Sequence, residues 1–266
     1  MKLQQLLIVL GAIAIVGCQT VQTTQPGAVG VTRKQHMIAS EADVEKGAQV
    51  AYKQELDKAR SGGGLNADPA SYKRIQAITQ RLIPQTTVFR PDAANWKWEV
   101  NVQTTKDVNA YCMPGGKIMV YTGLIEQLNA TDAELAAVIG HEIAHALREH
   151  SRERMTGAYL EQAAIATVAI ATGSDVATSL AQQVSAVTFT LPHSREQEAE
   201  ADRIGLELMA RAGYDPNASV KLWEKMAKLG GGGPEFLSTH PSSGSRIQDL
   251  QANIPRVLPL YQAAAH

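Results

Sequence analysis

This chain has few cysteines and few aromatic residues, and neither charge is in large excess. Two cysteines among 266 residues are too few for a framework of disulfide bonds. Lysine and arginine number 25 against 26 acidic residues, and the net charge of −1 excludes the strongly basic surface of a nucleic-acid-binding protein. Aromatic residues make up only 5%, and the many small apolar residues, mostly alanine, indicate close-packed helices. No apolar run reaches the roughly 20 residues of a membrane-spanning helix, although a hydrophobic content of 44% is typical of a globular protein.

The first apolar run has the features of a bacterial export signal. Lys2 precedes an unbroken stretch of apolar residues and glycine from Leu6 to Val16, which has the length of a signal-peptide core. Gly17 and Cys18 follow, and a small residue before a cysteine resembles the lipobox at which lipoproteins are acylated and cut. We therefore predict lipidation of Cys18; the alternative is an ordinary secretory signal with an incidental cysteine. Gln19 is not the aspartate that commonly retains lipoproteins at the inner membrane, which favours the outer membrane, facing the periplasm.

Composition divides the chain into three predicted parts. Residues 1–17 form the signal peptide, and residues 18–39, rich in Thr, Gln and Gly without apolar periodicity, form a lipid-anchored tether. Residues 40–266 show no repeat and no internal boundary, so we expect a single α+β domain, mostly helical, with a small sheet. The predicted elements include helices opened by Ser40, Asp68 and Thr131, strands at 96–103, 110–113 and 117–121, and a later helix from Arg195 to Ala212.

Two histidines and a glutamate occupy the middle of the helix that begins after Thr131 and is predicted to continue through His150. His141 and His145 are four residues apart, so both imidazoles lie on one face and can reach a single metal ion. Glu142 projects beside that pair, where it can take a proton from water. The alternative is a solvated helix face that contains two histidines by chance. The apolar residues before the motif favour the metal site, because a buried stretch does not hold imidazoles and a carboxylate without partners.

A third ligand is expected from elsewhere in the chain, because catalytic zinc usually has three protein ligands and one open position. The helix after Ser194 carries Glu198, Glu200 and Asp202. Glu198 and Asp202 share a face, whereas Glu200 points nearly opposite. One carboxylate on the metal, with a second one bonded to a ligand histidine, is an arrangement that zinc sites favour. The alternative is an exposed acidic face, which is the usual meaning of such a run.

Together these motifs resemble metallopeptidase family forty-eight, which includes the heat-shock protease HtpX and the CAAX prenyl protease. The resemblance spans residues 107–247 and rests on ELAAVIGHEIAH, SREQEAEAD and the flanking segments NAYCMPGGKIMVYTGL and THPSSGSRI. It implies a gluzincin-like zincin fold and one zinc ion per chain, held by His141, His145 and Glu198. Asp202 then supports a ligand histidine without touching the metal. Because spanning helices are lacking, the chain is similar to the lipoprotein branch, which resembles periplasmic proteases of outer-membrane quality control.

The resemblance implies hydrolysis of peptide bonds in unfolded or misassembled envelope proteins, with Glu142 as the catalytic base. The strand that begins near Asn109 is a candidate sheet edge for an extended substrate, so Asn109, Ala110, Tyr111 and Cys112 are predicted to bind substrate. Cys112 is either a packed strand residue or a self-inhibiting zinc ligand. The alternative function is a chaperone-like assembly factor of the outer membrane with a latent or structural zinc site. Expected partners are protein substrates, the membrane and outer-membrane assembly proteins, but no nucleic acid.

His240 lies among glycines and prolines in a segment that the resemblance places near the active site. We predict that it is catalytic, donating a hydrogen bond to the developing oxyanion, or that it is a latch in the open zinc position. The alternative is a loop histidine exposed to water. Arg246 is predicted to support this loop or the same oxyanion. His150 falls off the ligand face and is expected to be structural or solvated, and His193 is expected in a turn at a helix entry.

Overall fold

The computed structural model describes residues 19–163, 176–229, 235–241 and 244–264, and the predicted signal peptide and Cys18 lie outside them. The architecture is the predicted α+β type, mostly helical with a small sheet. None of the described helices is both long enough and apolar enough to cross a membrane. The strands are β1 (Gln19–Val21), β2 (Gln35–Met37), β3 (Glu99–Gln103), β4 (Ala110–Met113) and β5 (Lys117–Tyr121). The helices are α1 (Glu41–Ser61), α2 (Pro69–Leu82), α3 (Thr122–Gln127), α4 (Asp132–Leu147), α5 (His150–Ala163), α6 (Val176–Phe189), α7 (Arg195–Arg211), α8 (Asn217–Lys228), α9 (Glu235–Thr239) and α10 (Gly244–Ala264).

Side-chain caps fix where the predicted helices begin. Ser40 accepts a hydrogen bond from the backbone of Asp43 at the start of α1, and Asp68 does the same for Ala70 at the start of α2. Each cap satisfies one of the backbone N–H groups that the first turn of a helix leaves unpaired. The capping box at Thr131 opens α4 as predicted. These starts are confirmed.

The sheet has three strands in the order β3-β5-β4, with β3 parallel and β4 antiparallel to β5. The predicted strand from 96 to 103 begins three residues later, at Glu99. The reason is that Trp96 closes the 3-10 turn Pro91–Asn95 and packs its ring on Trp98, with centroids 5.3 Å apart. β4 therefore lies at one edge of the sheet and packs against α4.

The predicted extension of α4 to His150 is wrong. The helix ends at Leu147, and Glu149 adopts a left-handed conformation with φ of +51° before α5 begins at His150. The Glu149 carboxylate lies 2.6 Å from both Arg90 and Arg152. These ion pairs stabilise a backbone conformation that non-glycine residues seldom adopt. The break therefore separates α5 from α4.

The segment predicted as a tether is folded onto the helical body from Gln19 onward. β1 and β2 form an antiparallel pair, and Val29 and Met37 are each only 1% exposed. The guanidinium of Arg148, which is fully buried, donates hydrogen bonds to Thr23 and to the backbone oxygen of Arg33. A buried guanidinium is costly without acceptors, and this segment supplies them.

Two glycines allow α4 and α7 to come unusually close. Gly205 on α7 lies against Gly140 and His141 on α4, where a Cβ atom at position 205 would be 2.7 Å from the backbone nitrogen of His141. A Cβ at Gly140 would likewise lie 3.0 Å from the Gly205 backbone oxygen. This contact sets the separation between the helix that carries the histidines and the helix that carries Glu198.

Candidate metal centre

Four side chains from three parts of the fold meet at one buried point. His141 and His145 come from α4, Glu198 comes from α7, and His240 follows α9. The Nε2 atoms of His141 and His145 are 3.0 Å apart, and His240 Nδ1 lies 3.2 Å from His141 Nε2. Glu198 Oε1 lies 3.1 Å from His240 Nδ1 and 3.4 Å from His145 Nε2. None of the four residues is more than 5% exposed. The three predicted ligands are therefore brought together, and His240 joins them instead of facing water.

The donor atoms and their spacing fit a tetrahedral zinc ion. Zinc binds imidazole nitrogen and carboxylate oxygen at roughly 2.0–2.2 Å, so ligand atoms in a tetrahedron are about 3.4 Å apart. The separations in the cluster, from 3.0 Å between the two α4 histidines to 3.6 Å between His141 and Glu198, bracket that value. His141, His145 and Glu198 would hold the metal, with His240 at the fourth corner.

Glu142 lies beside the cluster with one carboxylate oxygen available to accept a proton. Its carboxylate is buried, and its Oε1 atom makes no hydrogen bond within the part of the chain that the structure describes. The nearest charged or ionisable contact of Oε1 is His240 Nε2, at 3.5 Å. Burial raises the pKa of Glu142 above its usual value because the charged form loses water. A buried carboxylate with a free oxygen and a raised pKa is suited to take up a proton.

Asp202 and Arg246 contact the candidate ligands His141 and Glu198. Asp202 Oδ1 lies 3.0 Å from His141 Nδ1, so the predicted support of a ligand histidine is what the geometry shows. Arg246 donates two hydrogen bonds of 2.7 Å to Asp202, and its Nη1 lies 2.5 Å from Glu198 Oε2. The same Nη1 donates to the backbone oxygen of Pro241, next to His240. These contacts agree with the predicted support of the loop by Arg246, and its role at an oxyanion stays a prediction.

Burial and ion pairing favour the protonation states that a metal site needs at Glu198 and His145, but not at His141. Burial lowers the pKa of His145 well below its usual value, which keeps this imidazole neutral. Burial would raise the pKa of Glu198, but His240, His145 and His141 outweigh it, so the pKa falls well below the usual range. Burial also disfavours a charged His141, but the hydrogen bond to Asp202 and the charge of Glu198 outweigh it and raise its pKa. An ionised carboxylate beside a neutral imidazole is the form that binds a metal.

Comparison with known proteins identifies the family of this site. The model of peptidase family M48 matches residues 69–254, which contain the two motifs with His141, His145 and Glu198. The chain belongs to this family. It is 44% identical over 209 residues to the mitochondrial metalloendopeptidase OMA1 of Arabidopsis thaliana, covering 75% of this chain but 42% of that protein. It is 31% identical to the metalloprotease LoiP and 29% identical to the metalloprotease YcaL of Escherichia coli K12, each over 94% of this chain and 96% of the other. The chain thus spans less than half the length of the OMA1 protein.

The predicted substrate strand of this M48 domain lines a cavity together with two residues of the metal cluster, His145 and His240. Asn109, Ala110, Tyr111 and Cys112 line it together with Glu142 and other residues of the centre. Cys112 is buried, donates a weak hydrogen bond to the backbone oxygen of Met113, and belongs to none of the potential metal-binding groups among the described residues. Burial raises the pKa of its thiol well above the usual value, which disfavours the thiolate that binds zinc. This geometry favours a packed strand residue over an inhibitory ligand.

Two further histidines of the centre were missed as site residues. His150 Nδ1 lies 2.8 Å from His145 Nδ1, and the ring of His193 lies 3.8 Å from that of His145, measured between centroids. Both are buried, so neither is solvated. The helix break at Glu149 turns His150 toward the ligands. No motif in the sequence predicts that break. His193 precedes the N-cap Ser194 of α7, as the expected turn at a helix entry implies.

Proposed function

We propose that this chain is a zinc-dependent endopeptidase that cleaves unfolded or misassembled envelope proteins while a lipid at Cys18 holds it to the bacterial outer membrane, facing the periplasm. The observation that carries the proposal is the buried cluster of His141, His145 and Glu198 with the unpaired carboxylate oxygen of Glu142 beside it. Membership of peptidase family M48 and the similarity to proteins named as metalloproteases support the same reaction.

The side chains around the cavity have separate roles in the proposed reaction. Zinc held by this ligand set supplies a Lewis acid that polarises a carbonyl group and makes water a stronger acid. Glu142 takes the proton from the attacking water and returns it to the amine that leaves. His240 Nε2, 3.5 Å from the Glu142 carboxylate, is placed to donate a hydrogen bond to the oxyanion when the ring turns away from the cluster.

Backbone pairing along β4 is the proposed mode of substrate binding. β4 is an edge strand that pairs only with β5 among the described strands, and it lines a cavity together with Glu142, His145 and His240. An extended peptide can add to such an edge through main-chain hydrogen bonds, which depend little on side-chain identity. This tolerance suits substrates that are unfolded and varied in sequence. Tyr111 packs on Phe189 of α6 with centroids 5.0 Å apart, so a peptide that adds to β4 has to displace this ring contact.

A second candidate function is that of a chaperone-like assembly factor in the lipoprotein branch of the family, working with outer-membrane assembly proteins. One observation favours it: four protein side chains enclose the cluster, as they do in structural zinc sites, which leave no position open. The two candidates differ in whether Glu142 is needed.

The substitution Glu142→Gln separates the two functions. The purified chain without its signal segment is loaded with zinc and incubated with casein, with and without a chelator. We expect wild type to cleave casein only when zinc is present, and Glu142→Gln to keep its zinc and lose hydrolysis by orders of magnitude, because only the base is removed. Glu196→Gln, on an exposed residue of α7, is the matched control and should retain activity. Equal turnover by Glu142→Gln would remove this carboxylate from the mechanism, and a wild type that never cleaves would favour the assembly factor.

The membrane anchor has its own test. Cys18→Ser removes the thiol that acylation requires, so we expect the variant to lose fatty-acid labelling and to leave the membrane fraction. Labelling equal to that of wild type would overturn the lipoprotein proposal without affecting the metal centre.

A further inference from the structure

His150 is in direct contact with a metal ligand although it is not one of the four cluster residues. Its Nδ1 atom lies 2.8 Å from His145 Nδ1, and its side chain is fully buried. On the other side of the ring, His150 Nε2 lies 3.0 Å from Glu200 Oε2. The three groups therefore form a chain from the ligand imidazole to a carboxylate.

The direction of the hydrogen bonds from His145 through His150 to Glu200 follows from which nitrogen of His145 faces the metal. His145 presents Nε2 to the cluster, 3.0 Å from His141 Nε2, so a metal there takes that lone pair and the proton of His145 must sit on Nδ1. His145 Nδ1–H then donates to His150 Nδ1. His150 in turn carries its proton on Nε2 and donates it to Glu200, which as a carboxylate only accepts.

Glu200 is itself fixed by two guanidinium groups. Arg148 Nε donates to Glu200 Oε2 at 3.0 Å, and Arg33 donates from Nε to Oε1 at 2.8 Å and from Nη2 to Oε2 at 3.0 Å. Arg33 belongs to the N-terminal segment that packs on the body, and it also binds Glu153 through two hydrogen bonds. Glu200, at the end of the hydrogen-bond series, is therefore held in part by a residue that lies outside α4 and α7.

We propose that His150 and Glu200 are positioning residues for the metal ligand His145, fixing its tautomer and ring orientation through a two-step hydrogen-bond relay. The inference rests on the proposed zinc site. The other α4 ligand, His141, reaches its carboxylate Asp202 directly at 3.0 Å, whereas His145 reaches Glu200 only through His150. One helix, α7, thus supplies a metal ligand and the carboxylate that ends each of the two chains. Outer partners of this kind typically contribute about 10- to 100-fold in metal affinity.

The test compares two substitutions of nearly equal size at His150, using zinc affinity measured by competition with a chromophoric chelator. His150→Asn places a carbonyl oxygen close to the position of Nδ1, where it can accept the proton of His145. His150→Leu fills similar space and leaves that N–H without an acceptor. We expect Asn to keep zinc affinity within about threefold of wild type and Leu to lose about 10- to 100-fold. Circular dichroism first checks that both variants are folded, and the cobalt absorption spectrum of each variant reports ligand geometry apart from activity.

A second variant tests the other end of the relay. Glu200→Ala removes the acceptor that fixes the His150 tautomer and should weaken zinc binding, whereas Glu196→Ala on an exposed position of the same helix should not. Equal affinities for Asn and Leu at position 150, whether both normal or both reduced, would overturn the relay, because hydrogen bonding would then not matter. A wild-type chain that binds no zinc would overturn the proposed metal site itself, and so the two failures are distinguishable.

Discussion

Replacement of Gly205 by alanine tests whether the close approach of α4 and α7 determines the spacing of the ligands in the metal centre. The added Cβ would lie 2.7 Å from the backbone nitrogen of His141 and 2.9 Å from both His141 Cα and the Gly140 backbone carbon. Ordinary contact begins near 3.4 Å, and backbone atoms cannot rotate aside as a flexible side chain does. The helices must therefore separate by roughly 0.7 Å at this point, the difference between the two distances.

Two opposing effects set the expected loss of stability. Overpacking in a well-filled core costs about 1–3 kcal/mol, and alanine gains about 1 kcal/mol over glycine inside a helix. The net destabilisation of the metal-free chain should then be ~0–2 kcal/mol. The effect on the metal should be larger, because metal–ligand distances tolerate only about 0.2 Å. A shift of 0.7 Å between His141 and Glu198 should reduce zinc affinity at least tenfold.

Urea unfolding of the metal-free protein and zinc competition measure the two effects separately. Gly157→Ala is the matched control, since Gly157 lies inside α5, is exposed, and has no atom within 4 Å of the added Cβ. It should stabilise the chain by ~0.5–1 kcal/mol through helix propensity alone. If Gly205→Ala behaved like this control, with higher stability and unchanged zinc affinity, the packing argument would be refuted.

Two further predictions follow from the cluster and from the N-terminal segment. His240→Ala should keep zinc, because three ligands remain, and should hydrolyse a short peptide about a hundredfold more slowly, because the oxyanion loses its proposed hydrogen-bond donor. Faster hydrolysis would instead make His240 a latch, since its Nδ1 lies at the fourth corner of the cluster. Burial disfavours a charged Glu153, but hydrogen bonds from Arg33, Gln197 and Gln35 outweigh it and lower its pKa to about 2. Because the folded-state pKa is depressed, Glu153 contributes stability above its usual pKa of 4.5, and this stability is lost as the pH falls toward 2. Glu153→Gln should therefore cost about 2 kcal/mol at pH 6 and about 1 kcal/mol at pH 3 in urea unfolding.

The parts of the fold that the sequence predicts well are those determined by neighbouring residues. Caps such as Ser40 and Thr131 bond to atoms three positions away, and the spacing of His141 and His145 follows from one helical turn. The pairing of Glu198 with Asp202 on one face of α7 is equally local. Most of the cluster could therefore be assigned before any tertiary contact was known.

The N-terminal segment shows why the rest could not be assigned. Residues 18–39 lack apolar periodicity, which predicts a tether. Their stability comes from distant partners: Gln35 donates to the backbone oxygen of Arg148, and Arg33 binds Glu153 and Glu200. Polar contacts between groups more than a hundred positions apart leave no pattern in the local sequence.

His150 shows how a single backbone residue can reverse a correct rule. On a continuous α4, five residues would rotate His150 about 140° away from His145, which is the reason it was placed off the ligand face. The left-handed conformation of Glu149 breaks that phase and returns the imidazole to within 2.8 Å of His145. The conformation depends on Arg90 and Arg152, which lie on different elements and bind the Glu149 carboxylate. Ion pairs at the end of α4 therefore decide which histidines reach the metal centre. Helical periodicity within the motif does not take these ion pairs into account.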